Sequence, residues 1–367
     1  MEMERKKVIE EFLNKYERGE APLGVAGMLL YEGDFIRAYY TLCTEKYGIL
    51  LNPYAMEEEL PIDENTEYVL DFSSMMLFFE LHRNHGVTFK HKFVISKVVR
   101  DIIKDKKLEK QQEADETMSL DISYEGVRPI LHTKEEKEYI IFMYDKMLSW
   151  IDENCKVEFS VSRLDELRSH DIDGSMEKHI GFDYTADYMH LVCKNNRVAI
   201  SDDQLVYKMV MSKSQYISTY SYLLGTTCVN DIERRMLEMN YIGVPIKFAF
   251  VYEEFKKKQK GENDLYMQAL KSWHYLIPYH PQFVLQQIGK LVKEIYLTSL
   301  VIDNIHREVQ KLFVTVLQGM YEVKIYIALW GILDTEFKLL GRKREEVLVD
   351  LYESTKIIGT GRNELLF

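Results

Sequence analysis

The stretch Asp187-Tyr188-Met189-His190-Leu191-Val192-Cys193-Lys194-Asn195-Asn196-Arg197-Val198-Ala199-Ile200-Ser201-Asp202-Asp203 decides the fold. Residues 187–193 read as a helix, and Val198-Ala199-Ile200 is an uncharged run that Ser201-Asp202-Asp203 terminates. An apolar run this short, with no polar residue inside it, is the pattern of a strand buried on both faces.

Two runs of the same kind lie upstream. Tyr68-Val69-Leu70 ends at Asp71-Phe72-Ser73-Ser74 and is followed by Met75 to His85, which has the length and pattern of a buried helix. Phe93-Val94-Ile95 is closed by Ser96, and Val98, Val99, Ile102 and Ile103 continue at helical period into a segment rich in lysine. A strand is predicted at Val127 to Leu131, a helix from Glu135 to about Asp152, and a strand at Val157 to Val161. Short apolar strands alternating with helices predict an α/β domain with a mostly parallel central sheet over residues 66–225.

The flanks read differently. Val8, Ile9, Phe12, Leu13 and Tyr16 fall at helical spacing before Gly19 breaks the run, so residues 1–65 read as an N-terminal helical module. Pro53, Pro61 and the acidic run Glu57-Glu58-Glu59 form the loop that joins it to the α/β domain. After about Thr226 strand signals largely vanish. Ile232–Tyr241, Asn263–Leu276, Pro281–Ile305, Val309–Leu339 and Glu345–Ile358 read as helices, giving an all-helical domain over 226–367. No clean repeat of about 34 or 40 residues is visible, which leaves an eroded one open.

With 367 residues the chain has room for two or three domains at roughly 100–200 residues each. Hydrophobic residues at 46%, charged residues at 29% and only seven prolines describe an ordinary globular protein and exclude a disordered one. The four cysteines, Cys43, Cys155, Cys193 and Cys228, have neither disulfide-framework nor zinc-site spacing. The charged N-terminus lacks a signal-peptide core, and no stretch approaches about 18 uncharged apolar residues, so a cytoplasmic protein without a membrane span is expected. Acids outnumber bases 59 to 47, a net charge of −12, which opposes a surface that grips nucleic acid everywhere but allows a local basic track.

Acids stand just beyond the ends of the strands: Asp71 after the first, Asp202 and Asp203 after the third. That edge of a parallel sheet is where ligands bind. Asp101, on the helix after the second strand, and Asp187, with Asp183 one turn earlier, are placed to join them. Carboxylates converging without basic partners repel one another unless a cation neutralises them, and Mg²⁺ or Mn²⁺ is the natural choice for oxygen ligands. The plainer reading is that these acids cap helices, as Asp71, Ser73 and Ser74 would cap the helix that follows.

Three segments carry a resemblance to a known family. Tyr68-Val69-Leu70-Asp71-Phe72-Ser73-Ser74 is similar to the opening strand, first acid and serine of the PIN domain, a family of metal-dependent nucleases. Lys92-Phe93-Val94-Ile95-Ser96-Lys97-Val98-Val99-Arg100-Asp101 resembles the second strand and the helix with the second acid, where the family often has Glu. Residues 181–203 resemble the third-acid helix and the strand that ends in the Thr/Ser-Asp-Asp motif. The resemblance implies a three-layer α/β domain in which Asp71, Asp101, Asp187 and Asp202 bind metal and catalyse, Asp203 is an alternative ligand, and Ser73, Ser201 and Asp183 support them.

The implied activity is hydrolysis of phosphodiester bonds by a Mg²⁺- or Mn²⁺-dependent endonuclease, on RNA in preference to DNA, including single-stranded RNA, in a toxin-like or defence setting. Lys104, Lys106 and Lys107 offer a basic track for the nucleic acid, though such clusters are more often solvated helix faces. From a different class comes the alternative of an inactive PIN-like scaffold. In either case the helical domains would serve a protein partner or a homo-oligomer.

Overall fold

The computed structural model describes residues 15, 35–44, 48–52, 65–123, 126–159, 187–194, 196–210, 215–226, 231–298 and 302–360. The chain divides into two compact units, Met1–Leu42 with Glu58–Val229 and Cys43–Glu57 with Asn230–Phe367. No helix among the described residues is long and apolar enough to cross a membrane.

In chain order the elements begin with α1 (Phe35–Thr44) and β1 (Ile49–Leu50), the latter in the second unit. The first unit continues with β2 (Glu67–Leu70), α2 (Phe72–His85), β3 (Phe93–Ser96), α3 (Lys97–Gln112), β4 (Thr117–Ser123), β5 (Gly126–His132), α4 (Lys134–Asn154) and β6 (Cys155–Glu158). A helical stretch at 187–192 leads to β7 (Arg197–Ile200), α5 (Gln204–Val210), β8 (Gln215–Ile217) and α6 (Thr219–Thr226).

Five strands form one sheet in the order β6-β3-β2-β7-β8, with every neighbouring pair parallel. Every residue of β3 and β7 is buried. Successive side chains of a strand point to opposite faces, so both faces are covered and the unit has three layers. Aromatic rings fill part of the core: Phe78 stacks on Phe89 at 4.9 Å, and Phe93 meets Tyr222 edge-on at 5.5 Å. The strand expected at Val127–Leu131 lies in β5, which pairs antiparallel with β4 in a separate hairpin. The strand expected at Val157–Val161 starts two residues earlier, and its last two positions lie outside the described residues.

α1 is tied to the sheet unit through Tyr40, whose hydroxyl donates to Glu80 of α2. α2 begins at its N-cap Asp71 and ends at Gly86, which takes the left-handed conformation at φ 64° and donates its amide to the His82 carbonyl at 2.9 Å.

The second unit comprises β1, α7 (Ile232–Glu238), β9 (Tyr241–Ile242), α8 (Phe248–Lys260), α9 (Tyr266–Leu276), α10 (Pro281–Leu297), α11 (Ile302–Leu317), α12 (Val323–Glu336) and α13 (Arg342–Thr360). β1 and β9 pair in parallel, and Tyr275 donates its hydroxyl to the Leu51 carbonyl at 3.1 Å, which ties residues 49–51 to this unit. The helix expected at Pro281–Ile305 stops at Leu297, and the one expected at Val309–Leu339 is parts of α11 and α12, separated at Gly319 with φ 73°. From α8 onward each helix packs on the next but one, α8 on α10, α9 on α11, α10 on α12 and α11 on α13. That is the stacking of a helix-pair solenoid.

Candidate functional site

The register of β2 and β7 builds the site. Leu70 pairs with Ile200 at the ends of the two strands, so Asp71 and Ser201 leave the sheet side by side. The Asp71 amide donates to the Ile200 carbonyl at 3.2 Å, and Ser74 Oγ donates to the same oxygen at 3.1 Å. From β2 the chain crosses to β3 on one side, while β7 and β8 lie on the other. The carboxyl ends of β2 and β7 therefore form the switch point of the sheet, where α/β domains bind ligands.

Asp71 is buried and caps α2: its Oδ1 accepts from the Ser74 amide at 2.7 Å. Ser73 Oγ donates to Oδ1 and Oδ2 at 3.0 and 3.1 Å, and Ser201 Oγ also donates to Oδ2. Asp202 is buried as well, accepting from the Thr219 amide at 3.2 Å and from Thr219 Oγ1. Burial raises the carboxyl pKa of Asp71 above its ordinary range, against the hydrogen bonds from Ser201, Ser74 and Ser73. Asp202 is pushed up to about 7, first by burial and then by the charges of Asp71 and Asp203, with the Thr219 hydrogen bonds opposing. Among the described residues no Lys, Arg or His pairs with either carboxylate.

Asp187 is held at the end of β3. It is buried, and Ser96 Oγ donates to its Oδ2 while accepting from the Val98 amide at 3.0 Å as the N-cap of α3. The short links from β2, β3 and β8 into α2, α3 and α6 bring three helix N-termini to this edge of the sheet. Their positive dipole ends favour anions there.

Residues 69–210 match a family model described as the PIN domain associated with the TPR-GreAB-C-PIN system. This segment is a PIN domain. No curated protein and no solved structure gives a significant match to the chain.

In this PIN domain the second acid stands apart. Val99 and Ile103 form the buried side of α3, and Asp101, two residues from each, is turned outward, its side chain 47% exposed and 3.8 Å from Lys97. Asp203 is half-buried at the start of α5, where its amide donates to Ser201 Oγ at 3.1 Å and its carbonyl accepts from the Tyr207 amide at 2.9 Å. Asp183 lies outside the described residues. Of the lysines after Asp101, Lys106 is paired with Glu109 at 2.7 Å and Lys107 with Asp145 at 2.5 Å, while Lys104 is exposed.

Among the described residues no group of three or more His, Cys, Asp or Glu could hold a metal ion. The carboxylates that the ends of β2 and β7 bring to one edge of the sheet are Asp71, bonded to the Ser201 hydroxyl, and Asp202, the next residue along. This all-oxygen set fits a hard cation of the Mg²⁺ kind, which binds through one or two carboxylates and keeps several waters.

Thr219 and Ser96 are the site residues that sequence reading passed over. Thr219 follows β8, a three-residue strand that was not anticipated, and its signal is the Ser218-Thr219 pair closing Tyr216-Ile217. Ser96 reads from the sequence only as the end of a strand.

Proposed function

We propose that the PIN domain is a divalent-metal-dependent endonuclease that hydrolyses phosphodiester bonds, with RNA its substrate in preference to DNA. The observation that carries this reading is the pair Asp71 and Asp202: two buried carboxylates at the switch point of a parallel sheet, close enough for one to raise the other, with no basic partner among the described residues. Asp71 and Asp202 would hold the ion. Bound Mg²⁺ or Mn²⁺ supplies Lewis acidity and an activated water at neutral pH.

The chain's own groups do the rest. Ser201, Ser73 and the Ser74 amide fix the Asp71 carboxylate, and Thr219 fixes that of Asp202. Ser96 tethers Asp187 at the neighbouring strand end. The N-termini of α2, α3 and α6 offer positive dipole ends to a phosphate. The matched family is described by its association with a TPR-containing system, and the helix-pair solenoid of the second unit is the part suited to a protein partner. A cytoplasmic defence or toxin role fits such a nuclease.

One observation favours the inactive-scaffold alternative: Asp101 is paired with Lys97, and no third acid joins Asp71 and Asp202 among the described residues. Incubation of the purified chain with single-stranded RNA and Mn²⁺ separates the two readings. The nuclease reading expects cleavage, abolished by chelation and reduced about a hundredfold or more by Asp71→Asn, a change larger than that expected for a residue outside the ligand set. A folded wild-type chain that leaves RNA and DNA intact with either metal would establish the scaffold.

A further inference from the structure

The outer face of α12 is apolar. The four most exposed large hydrophobic side chains among the described residues fall on it or at its ends: Leu339 at 93%, Tyr321 at 81%, Val323 at 70% and Ile327 at 67%. Trp330 is also exposed, as are the small residues Ala328 and Gly331. Single exposed apolar residues are ordinary, but a contiguous stripe at helical spacing is an interaction surface.

Inside the same unit an equivalent face is already covered. Gly289 is the ninth residue of α10, as Gly331 is the ninth of α12. A Cβ built on Gly289 would lie 2.6 Å from Ile332 Cγ2 of α12, so its absence lets the two helices approach; a Cβ on Gly331 would meet nothing within 4 Å. Leu285 and Ile288, which share the Gly289 side of α10, are buried, whereas their counterparts Ile327 and Trp330 are exposed. The α12 face is thus shaped like one that accepts an apolar helix, with Gly331 open where Gly289 takes an isoleucine.

We infer that this face pairs with the same face of a second copy of the chain, α12 against α12, antiparallel about a two-fold axis level with Leu329. The sequence of the stripe is self-complementary in that arrangement. Ile327 of one copy comes level with Gly331 of the other, repeating the isoleucine-on-glycine contact of α10 and α12. Trp330 comes level with Ala328, large against small. Lys324, paired with Glu322 at 2.6 Å, comes level with Asp334, which Arg344 holds at 2.6 Å, so the two ends meet as neutralised pairs. Tyr321 and Leu339, beyond the two ends of the helix, are then brought toward each other across the copies. A single helix pair with these flanking residues buries less than the roughly 800 Å² per partner of a standard interface, so a dimer in the micromolar range is expected.

Sedimentation velocity of the full chain across about 1–100 μM tests this against the micromolar expectation. Wild type should pass from monomer to dimer. Ile327→Glu, at a position 67% exposed and so with little packing to lose, should raise the dissociation constant about a hundredfold or more, since the residue counts twice in a symmetric interface. Gly331→Ala should weaken the dimer while leaving the monomer as stable as wild type or more so, which separates a lost interface from a damaged fold. With Cys193→Ser as background, Ile327→Cys combined with Gly331→Cys should form a covalent dimer on mild oxidation. A wild type that stays monomeric to 100 μM, or a dimer that Ile327→Glu leaves intact, overturns the inference.

Discussion

Asp71 serves two ends with one carboxylate: it caps α2 and it stands at the switch point beside Asp202. Asparagine caps a helix nearly as well as aspartate, so Asp71→Asn should remove the charge at little cost in stability, whereas Asp71→Ala should cost about 1–3 kcal/mol by leaving the Ser74 amide and the Ser73 and Ser201 hydroxyls short of a partner. Urea denaturation of the two variants measures the difference. Asp202 links the site to pH. Its folded pKa of about 7 lies above the ordinary 3.8, so its contribution is fully present below about pH 4 and is lost as pH rises through 7. The metal-free chain should therefore lose stability from this group between pH 4 and 8. Mn²⁺ competes with the proton, and should raise the Tm more at pH 8 than at pH 5.5. Equal shifts at the two pH values would mean that Asp202 does not bind the ion. Thr219→Val removes the hydroxyl that fixes Asp202 while keeping size and shape, and a loss of about 10–100-fold in Mn²⁺ affinity, read by calorimetry, is expected.

At the scale of elements, the strands that were legible are those buried on both faces. β2, β3 and β7 are apolar at nearly every position because the environment on either side is the same, and their ends were readable because Asp71, Ser96 and Ser201 punctuate them. β8 escaped because three residues with one exposed position carry no periodic signal, and Thr219 was lost with it. The long helices expected in the second unit merged neighbouring helices: the apolar spacing continues from α10 through α11 to α12, and the breaks at Thr298 and Gly319 are set by backbone geometry. The two equivalent glycines make a sharp element-scale prediction. Gly289→Ala should destabilise the second unit by about 1–3 kcal/mol because α12 must move away, while Gly331→Ala should be neutral or stabilising by up to about 1 kcal/mol through helix propensity. Thermal melts of the two variants side by side test it.

At the scale of the whole molecule, a net charge of −12 still has to be reconciled with a polyanionic substrate. Lys106 and Lys107 are engaged by Glu109 and Asp145, so the basic track expected there is largely neutralised. Binding of a non-cleavable RNA analogue at about 0.1 M salt should accordingly be weak under chelation and at least about tenfold tighter with Mn²⁺ when followed by fluorescence anisotropy, with Asp202→Asn as the control that should lose the metal-dependent part. What the sequence by itself determined is the local and periodic part: three buried strands, the helices between them, and acids at the strand ends, because burial on both faces and capping are written in adjacent residues. Only the tertiary structure decided which acids meet. The parallel register of β2 with β7 sets Asp71 against Ser201 and Asp202, the rotation of α3 turns Asp101 outward to Lys97, and β8 delivers Thr219 from the next strand. The first joins residues more than a hundred positions apart, the second depends on which face of a helix the core claims, and the third on the pairing of β8 with β7, so none is fixed until the sheet closes.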